Sequence, residues 1–372
     1  MTESFRLIAL CIAFITAGVL SATADERVPA FPDDRDANGN RFLAHDLPLD
    51  AMAYRTYRLE RPIVWAGGAI TPDGPVWHLR TADGQTTRLR IPVDRNGFPG
   101  LAVMESIDAP SPAPLARAGA AGLKQPLPDG QPAVTRDGDL VYLSGPTTAY
   151  PHGILGDPVE ASRVVILPAD GTDEVVIELS PEVAEERGVL LVDLDDDGRE
   201  EIVTVLADAS EGARLAAFTL GGDVFATGEP IGVGYRWRHL IGAGPLGPDG
   251  EQMIAVVRTP HIGGVLEYYD VNLDVFAAIP GFSSHAIGSP NLGDAVVANV
   301  DGGESWEIVL PDQRRSRLSA VSLTRQGPRT VWSYDLGARL SGNISSMSTP
   351  EMAAMLVPTR DGTLHIWTTR RR

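Results

Sequence analysis

Cysteine is almost missing from this sequence: Cys11 is the single one, and it sits inside an apolar N-terminal run. Once that run is removed no disulfide can form, so stability has to come from packing and from any bound metal. Lysine is equally scarce, with Lys124 alone against 30 arginines, a bias that reflects base composition rather than chemistry. Long amphipathic helical windows are absent; Glu182-Val183-Ala184-Glu185-Glu186 is too short to make one. No apolar stretch after the N-terminal run is long enough to cross a bilayer, which excludes stable membrane insertion of the processed chain. Gly-x-Ser-x-Gly is missing, Ser283-Ser284-His285 has no carboxylate close by in sequence, and no glycine-rich loop joins a strand to a helix. No catalytic or nucleotide-cofactor residue is therefore assigned. The net charge of -18 repels phosphates, which excludes nucleic acid as a partner and favours cations.

The first 24 residues have the form of a signal peptide. Arg6 provides the basic start, Leu7 to Leu20 the apolar run, and Ala22-Thr23-Ala24 the small-residue cleavage pattern, with Asp25 as the new N-terminus. Leu10 precedes Cys11 where a lipoprotein site needs a small residue, so no lipid anchor is expected. The expected location is periplasmic or secreted. Residues 25–45 read as a polar extension, and residues 46–372 as the folded body.

That body is built from short apolar runs such as Val164–Leu167, Ile202–Leu206, Met253–Val257 and Ile308–Leu310, separated by Gly, Asp, Asn and Pro turns. Runs of this length, apolar on both faces, fit strands buried between packed sheets. Ile202, Ile254 and Ile308 mark a repeat with separations of 52 and 54 residues. A second pattern, H-x-I-G-x-x-x-L-G, matches at His239 and His285, which places these histidines in equivalent positions of neighbouring repeats. The fold class predicted is all-β, a single β-propeller of four-stranded antiparallel blades. At roughly 50 residues per blade the number is about seven, or six if the Pro/Ala-rich stretch 105–133 is an inserted loop.

The densest chemical signal is Asp193-x-Asp195-x-Asp197-Gly198-Arg199-x-Glu201. Acids at alternate positions of a tight loop aim oxygens at one centre, Gly198 permits the sharp turn, and the Arg199 carbonyl fills the gap before Glu201. Such a loop suits Ca²⁺, a hard ion that takes six to eight oxygens. The plain alternative is a solvated acidic hairpin. An EF-hand is excluded, because this loop lies between the strand-like runs Val189–Val192 and Ile202–Val205. The string VDLDDDGREEIV resembles the FG-GAP or VCBS repeat of integrin α-chain propellers and bacterial exported proteins. That resemblance, clearest over residues 185–325, implies calcium in the hairpin of a blade, held by Asp193, Asp195, Asp197, Arg199 and Glu201. Asn299, Asp301 and Glu307 match a weaker second site, in which Gly303 replaces the third acid. The repeat at Pro245 has lost its first acids and should hold no metal. Asp34-x-Asp36-x-Asn38-Gly39 starts the same way but reaches Phe42 where the last acid belongs. The C-terminal strings VWSYDLGARLSG and DGTLHIWTT resemble quinone-type or WD-type blades.

Other polar residues have plainer explanations. His239 and His285, with His152 as a possible third, could act on a substrate or a metal if they line a channel, but repetition speaks for shared turn hydrogen bonds. His261 matches no repeat and reads as a loop residue. Tyr235 and Trp237 could form a sugar platform or simply pack a blade. Asn343-Ile344-Ser345 fits a glycosylation acceptor. Together these features suggest an exported calcium-binding propeller that serves as a binding or scaffold module for a protein or carbohydrate ligand. The alternative is a propeller enzyme acting on carbohydrate, a lyase or quinone-dependent dehydrogenase, which would gather His, Arg and acidic groups from several blades at one channel mouth.

Overall fold

The computed structural model describes residues 43–44, 46–106, 123–289 and 291–371. The expected signal peptide, the Asp34 to Phe42 turn and most of the 105–133 stretch lie outside the described residues. The apolar runs form strands and the Gly, Asp and Asn segments between them form turns, giving a succession of four-stranded antiparallel meanders, to one of which Leu43–Ala44 adds a parallel strand beside Val296–Ala298. Blade one comprises Ile63–Thr71, Gly74–Thr81, Thr86–Arg90 and Val103–Ser106. Blade two comprises Ala133–Val134, Leu140–Thr147, Glu160–Leu167 and Val175–Glu178, and blade three Leu190–Val192, Glu201–Asp208, Gly212–Phe218 and Val224–Thr227. A short strand, Val183–Ala184, pairs with both Glu160–Leu167 and Glu201–Asp208, so blades two and three share one hydrogen-bonded sheet. Blade four comprises Arg238–Pro245, Gln252–Arg258, Val265–Tyr269 and Val275–Pro280; blade five Val296–Ala298, Glu307–Pro311, Arg317–Thr324 and Gly327–Asp335. Blade six takes Ser345–Ser348, Met352–Pro358 and Thr363–Arg370 from the end of the chain, and its fourth strand is Ala53–Arg58 from the beginning.

The described strands form five hydrogen-bonded sheets; counting the nine-stranded one as two blades gives six blades of a β-propeller, fewer than the seven that length divided by repeat period predicts. The register of closure runs from Ala53↔Thr368 to Arg58↔Thr363. Pairing the chain ends in one blade removes the free edge that an open sheet would expose. Asn343 reinforces the ring on the other side of blade six. It is fully buried, accepting from the Ala66 amide at 2.9 Å and donating to the Ala66 carbonyl at 2.7 Å, a position unsuited to carrying a glycan.

Ile202, Ile254 and Ile308 all fall on the second strands of consecutive blades and are all fully buried. The core lies between blades. One cluster packs Ile241, Met253 and Leu266 of blade four against Val297, Ile308 and Val321 of blade five. Another packs Val203 and Leu215 of blade three against Leu240 and Val256 of blade four. The first strands of neighbouring blades touch, as Leu190–Val192 does Arg238–Pro245 and that strand does Val296–Ala298, so they form the inner ring. Segments leading into these strands are brought together at the inner ring, although they are far apart in sequence.

Candidate functional site

The acidic loop connects the first and second strands of blade three. Side-chain oxygens of Asp193, Asp195 and Asp197 lie within 4.8 Å of one another. Backbone amides hold them in place: Asp197 N donates to Asp193 Oδ1 at 3.1 Å, Gly198 N to Asp193 Oδ2 at 3.0 Å, and Arg199 N to Asp197 Oδ1 at 2.7 Å. The turn needs left-handed backbone at Asp196 (φ 59°) and Gly198 (φ 89°), which a short polar residue and a glycine tolerate. The donor set, three carboxylates on a rigid turn, fits a hard cation. Glu201 faces the backbone instead: its Oε2 accepts from Leu194 N at 2.8 Å. Burial, reinforced by the three aspartates, pushes its carboxyl up, opposed by that amide.

Glu307 repeats this arrangement in blade five, where its Oε2 accepts from Val300 N at 2.8 Å. The rest of that loop differs. Asn299 Oδ1 accepts from Gly302 N at 2.7 Å and Asp301 Oδ1 from Gly303 N at 2.8 Å. Among the described residues, the three aspartates of the first loop form the one group of three or more acids or imidazoles whose ligand atoms converge.

A second cluster forms where blades two to five meet. Trp237 and His239 enter the first strand of blade four, with their rings stacked at 4.8 Å. Trp237 Nε1 donates to the Glu185 carbonyl at 3.1 Å, and Leu240 N donates to Glu186 Oε1 at 3.2 Å, tying blade four to the segment that enters blade three. His239 Nδ1 lies 2.8 Å from Ser284 Oγ, on the segment leading into blade five. His261, in the turn after the second strand of blade four, has Nε2 2.9 Å from His285 Nδ1. His285 Nε2 meets the Ser289 carbonyl at 2.7 Å. A carbonyl only accepts, so His285 Nε2 carries a proton; with His285 neutral its Nδ1 accepts from His261 Nε2–H and His261 Nδ1 is an acceptor, and with His285 charged the direction reverses. Burial, then Arg315 and His152, lowers the His261 pKa to about 4, so this ring is neutral at pH 7.

His152 comes from the connection between the second and third strands of blade two, and its Nδ1 pairs with Glu185 Oε1. Glu185 and Glu186 are adjacent and both fully buried. Burial, then the Glu186 charge, drives the Glu185 carboxyl well above the usual range, while burial lowers His152. Glu160, at the start of a blade-two strand, is raised to about 9 by burial and then by Glu185 and Asp129. Beside this cluster lies a cavity of ≈ 400 Å³ lined by His152, Trp237 and His261 on its inner side and by Tyr235, Ile262 and Ile287 at its rim.

No family model matches the sequence, and no curated protein matches it. Solved structures similar to the chain include that of BBS1N in complex with ARL6DN, 10% identical over 88% of this chain and 93% of the other, with a TM-score of 0.42. The Dos1 propeller is 7% identical over 86% and 96%, with a TM-score of 0.39. The quinohemoprotein alcohol dehydrogenase from Comamonas testosteroni is 11% identical over 82% and 61%, with a TM-score of 0.40. Identities this low say nothing of chemistry.

Two expectations about the histidines change. His239 lies in the first strand of blade four, four residues before Ala243, which pairs with Ile254. His285 lies twelve residues before Val297, which pairs with Ile308, so the two are not equivalent positions. The H-x-I-G-x-x-x-L-G match spans a strand in one blade and a connecting segment in the next. His261 is a turn residue, but it is part of the cluster. Tyr235 and Trp237 divide the two roles weighed for them: Trp237 is buried and Tyr235 stands 52% exposed at the cavity rim.

Proposed function

We propose that this chain is an exported, calcium-binding β-propeller that works as a binding or scaffold module. The observation that carries the metal is the convergence of Asp193, Asp195 and Asp197 within 4.8 Å on a turn whose amides fix each carboxylate, that of Asp195 by Asp197 N at 3.3 Å. Three such charges repel one another when bare, and a divalent ion removes that repulsion. Because the cage exists only in the folded loop, calcium at 100 times its dissociation constant would add about 2.7 kcal/mol to stability. The expected result is a melting temperature several degrees higher in excess Ca²⁺ than in chelator; coincident midpoints would rule the site out.

The two loops should also rank. Asp195→Ala removes one of three converging carboxylates and should weaken calcium binding by about tenfold or more. Asp301→Ala should change total binding little, because Asn299 and Gly303 leave that loop with fewer charged oxygens. Calorimetric titration of both variants checks this, and the reverse order would show that the Asn299–Glu307 loop is the main site.

A second reading, an enzyme with its site at the inner ring, is favoured by one observation. His152, Glu185, His239, His261 and His285 come from four blades and meet beside one cavity. In such an enzyme Glu185 positions the His152 imidazole as an acid/base group.

A further inference from the structure

The cavity beside the imidazoles has a character at odds with the rest of the molecule. The chain carries a net charge of -18, yet two arginines, Arg236 and Arg258, line this cavity and no aspartate or glutamate does. Arg258 is already matched by Glu267 at 2.5 Å. Arg236 is exposed, and its guanidinium donates to the Ile231 carbonyl at 3.5 Å, which leaves most of its donor fork for a ligand.

The rim is apolar. Tyr235, Ile262 and Ile287 are 52%, 84% and 74% exposed, and Pro260 and Ile154 lie behind them in the same wall. Exposed apolar side chains gathered at one concavity mark a binding surface, whereas scattered ones do not. The backbone at this rim is also strained. Tyr235 has φ 50° and Thr259 φ 48°, and the second is β-branched, for which the left-handed region is a true outlier. Strain of this kind persists where the surroundings enforce it. Thr259 N donates to the Trp237 carbonyl at 2.9 Å, tying the two turns together, and the Tyr235 ring lies 5.1 Å from that of Tyr150 and 5.4 Å from that of His152.

We propose that this cavity binds a small aromatic carboxylate, with the carboxylate on Arg236, the ring against Tyr235 and the isoleucines, and a polar substituent facing His152 and His261. A carboxylate follows from the unmatched guanidinium in a wall without acids. An aromatic body fits the rim, where Tyr235 offers a ring face and Ile262, Ile287 and Pro260 offer apolar surface. His261, in the cavity wall, suits a phenolic hydroxyl, which can donate to an imidazole nitrogen or accept from it. The size agrees with the range of about 300–1,000 Å³ typical of small-ligand sites. This inference goes beyond the calcium-binding reading and does not depend on it.

The probe is 4-hydroxybenzoate, titrated calorimetrically into the full chain both in calcium and in chelator. A dissociation constant below about 1 mM is expected. Binding in either buffer supports the cavity site, whatever happens at the acidic loop. Arg236→Ala, at an exposed position, should melt like the parent, and both it and Tyr235→Ala should bind about tenfold more weakly or worse. Methyl 4-hydroxybenzoate, which lacks the charge, should lose a similar factor. No binding of 4-hydroxybenzoate in either buffer, unchanged affinity in Arg236→Ala, or tighter binding of galacturonate would each overturn the proposal.

Discussion

Removing residues 361–372 should leave a protein that elutes as oligomers or precipitates, while the full chain stays monodisperse. Thr363–Arg370 is an interior strand of blade six, paired with Met352–Pro358 on one side and with Ala53–Arg58 on the other. Its loss exposes one edge directly and releases the N-terminal strand, so two unpaired ladders face solvent. Leu364, Ile366 and Trp367 are at most 3% exposed in the full chain. At about 1.5–3 kcal/mol each, their removal forfeits roughly 5–9 kcal/mol as an upper estimate. That is comparable to the whole stability of a typical domain, about 5–15 kcal/mol. Light scattering after size exclusion, together with a thermal melt, measures both effects. A truncated chain that stays monomeric with an unchanged midpoint would mean that blade six does not close the ring.

The fold was legible because blade periodicity is local. Each repeat carries its own apolar second strand, and aligning Ile202, Ile254 and Ile308 finds these strands without reference to the rest of the chain. The blade number was less so, because dividing length by period assumes that every residue serves a blade. Residues 123–132 and the described part of 281–295 contribute no strand. The acidic loop was legible for the same reason as the strands, since its carboxylates come from one turn. Glu201 shows the limit: spacing puts it beside the loop, but the amide of Leu194, itself part of the turn, takes its Oε2.

The imidazole cluster was not legible, because it exists only once the ring has closed. Glu185 meets Trp237 across 52 residues, His239 meets Ser284 across 45, and His261 meets His285 across 24. His261 sits in a turn with no repeat signature. The sequence pattern that did join His239 to His285 argued from equivalence, which is the wrong reason for a correct proximity. Their rings are 5.8 Å apart because the segment before blade five folds back toward blade four, bringing His285 to the inner ring from a different direction. The buried acids gave one sign, two adjacent glutamates just before the apolar run Val189–Val192. Adjacent charges in a short segment usually point to solvent, and here the bridging strand Val183–Ala184 carries both inside.

Those acids produce the second large effect. Glu160→Gln should raise stability at pH 8 and change it little at pH 5. The Glu160 carboxyl is raised to about 9, first by burial and then by the charges of Glu185, Asp129, Asp157 and Glu186. In the unfolded chain it releases its proton near the ordinary value of about 4.3. Between these two limits the folded state binds more protons than the unfolded state, so stability falls as pH rises through the window from about 4.5 to 9. A shift of that size corresponds to a ceiling of about 6 kcal/mol, and relaxation of the neighbouring acids will reduce what is observed to a few. Glutamine keeps the shape and carries no charge at any pH, which flattens this part of the profile. The parent should therefore lose several degrees of melting temperature between pH 5 and pH 8 relative to the variant. Glu185→Gln should flatten the same window, but it also alters the partner of His152, so its melting temperature should be lower at pH 5 as well. Melts of the parent and both variants at pH 5, 6.5 and 8 give the comparison. If Glu160→Gln tracks the parent at all three, Glu160 is ionised in the folded protein and the acids at this junction are solvated rather than held neutral by burial.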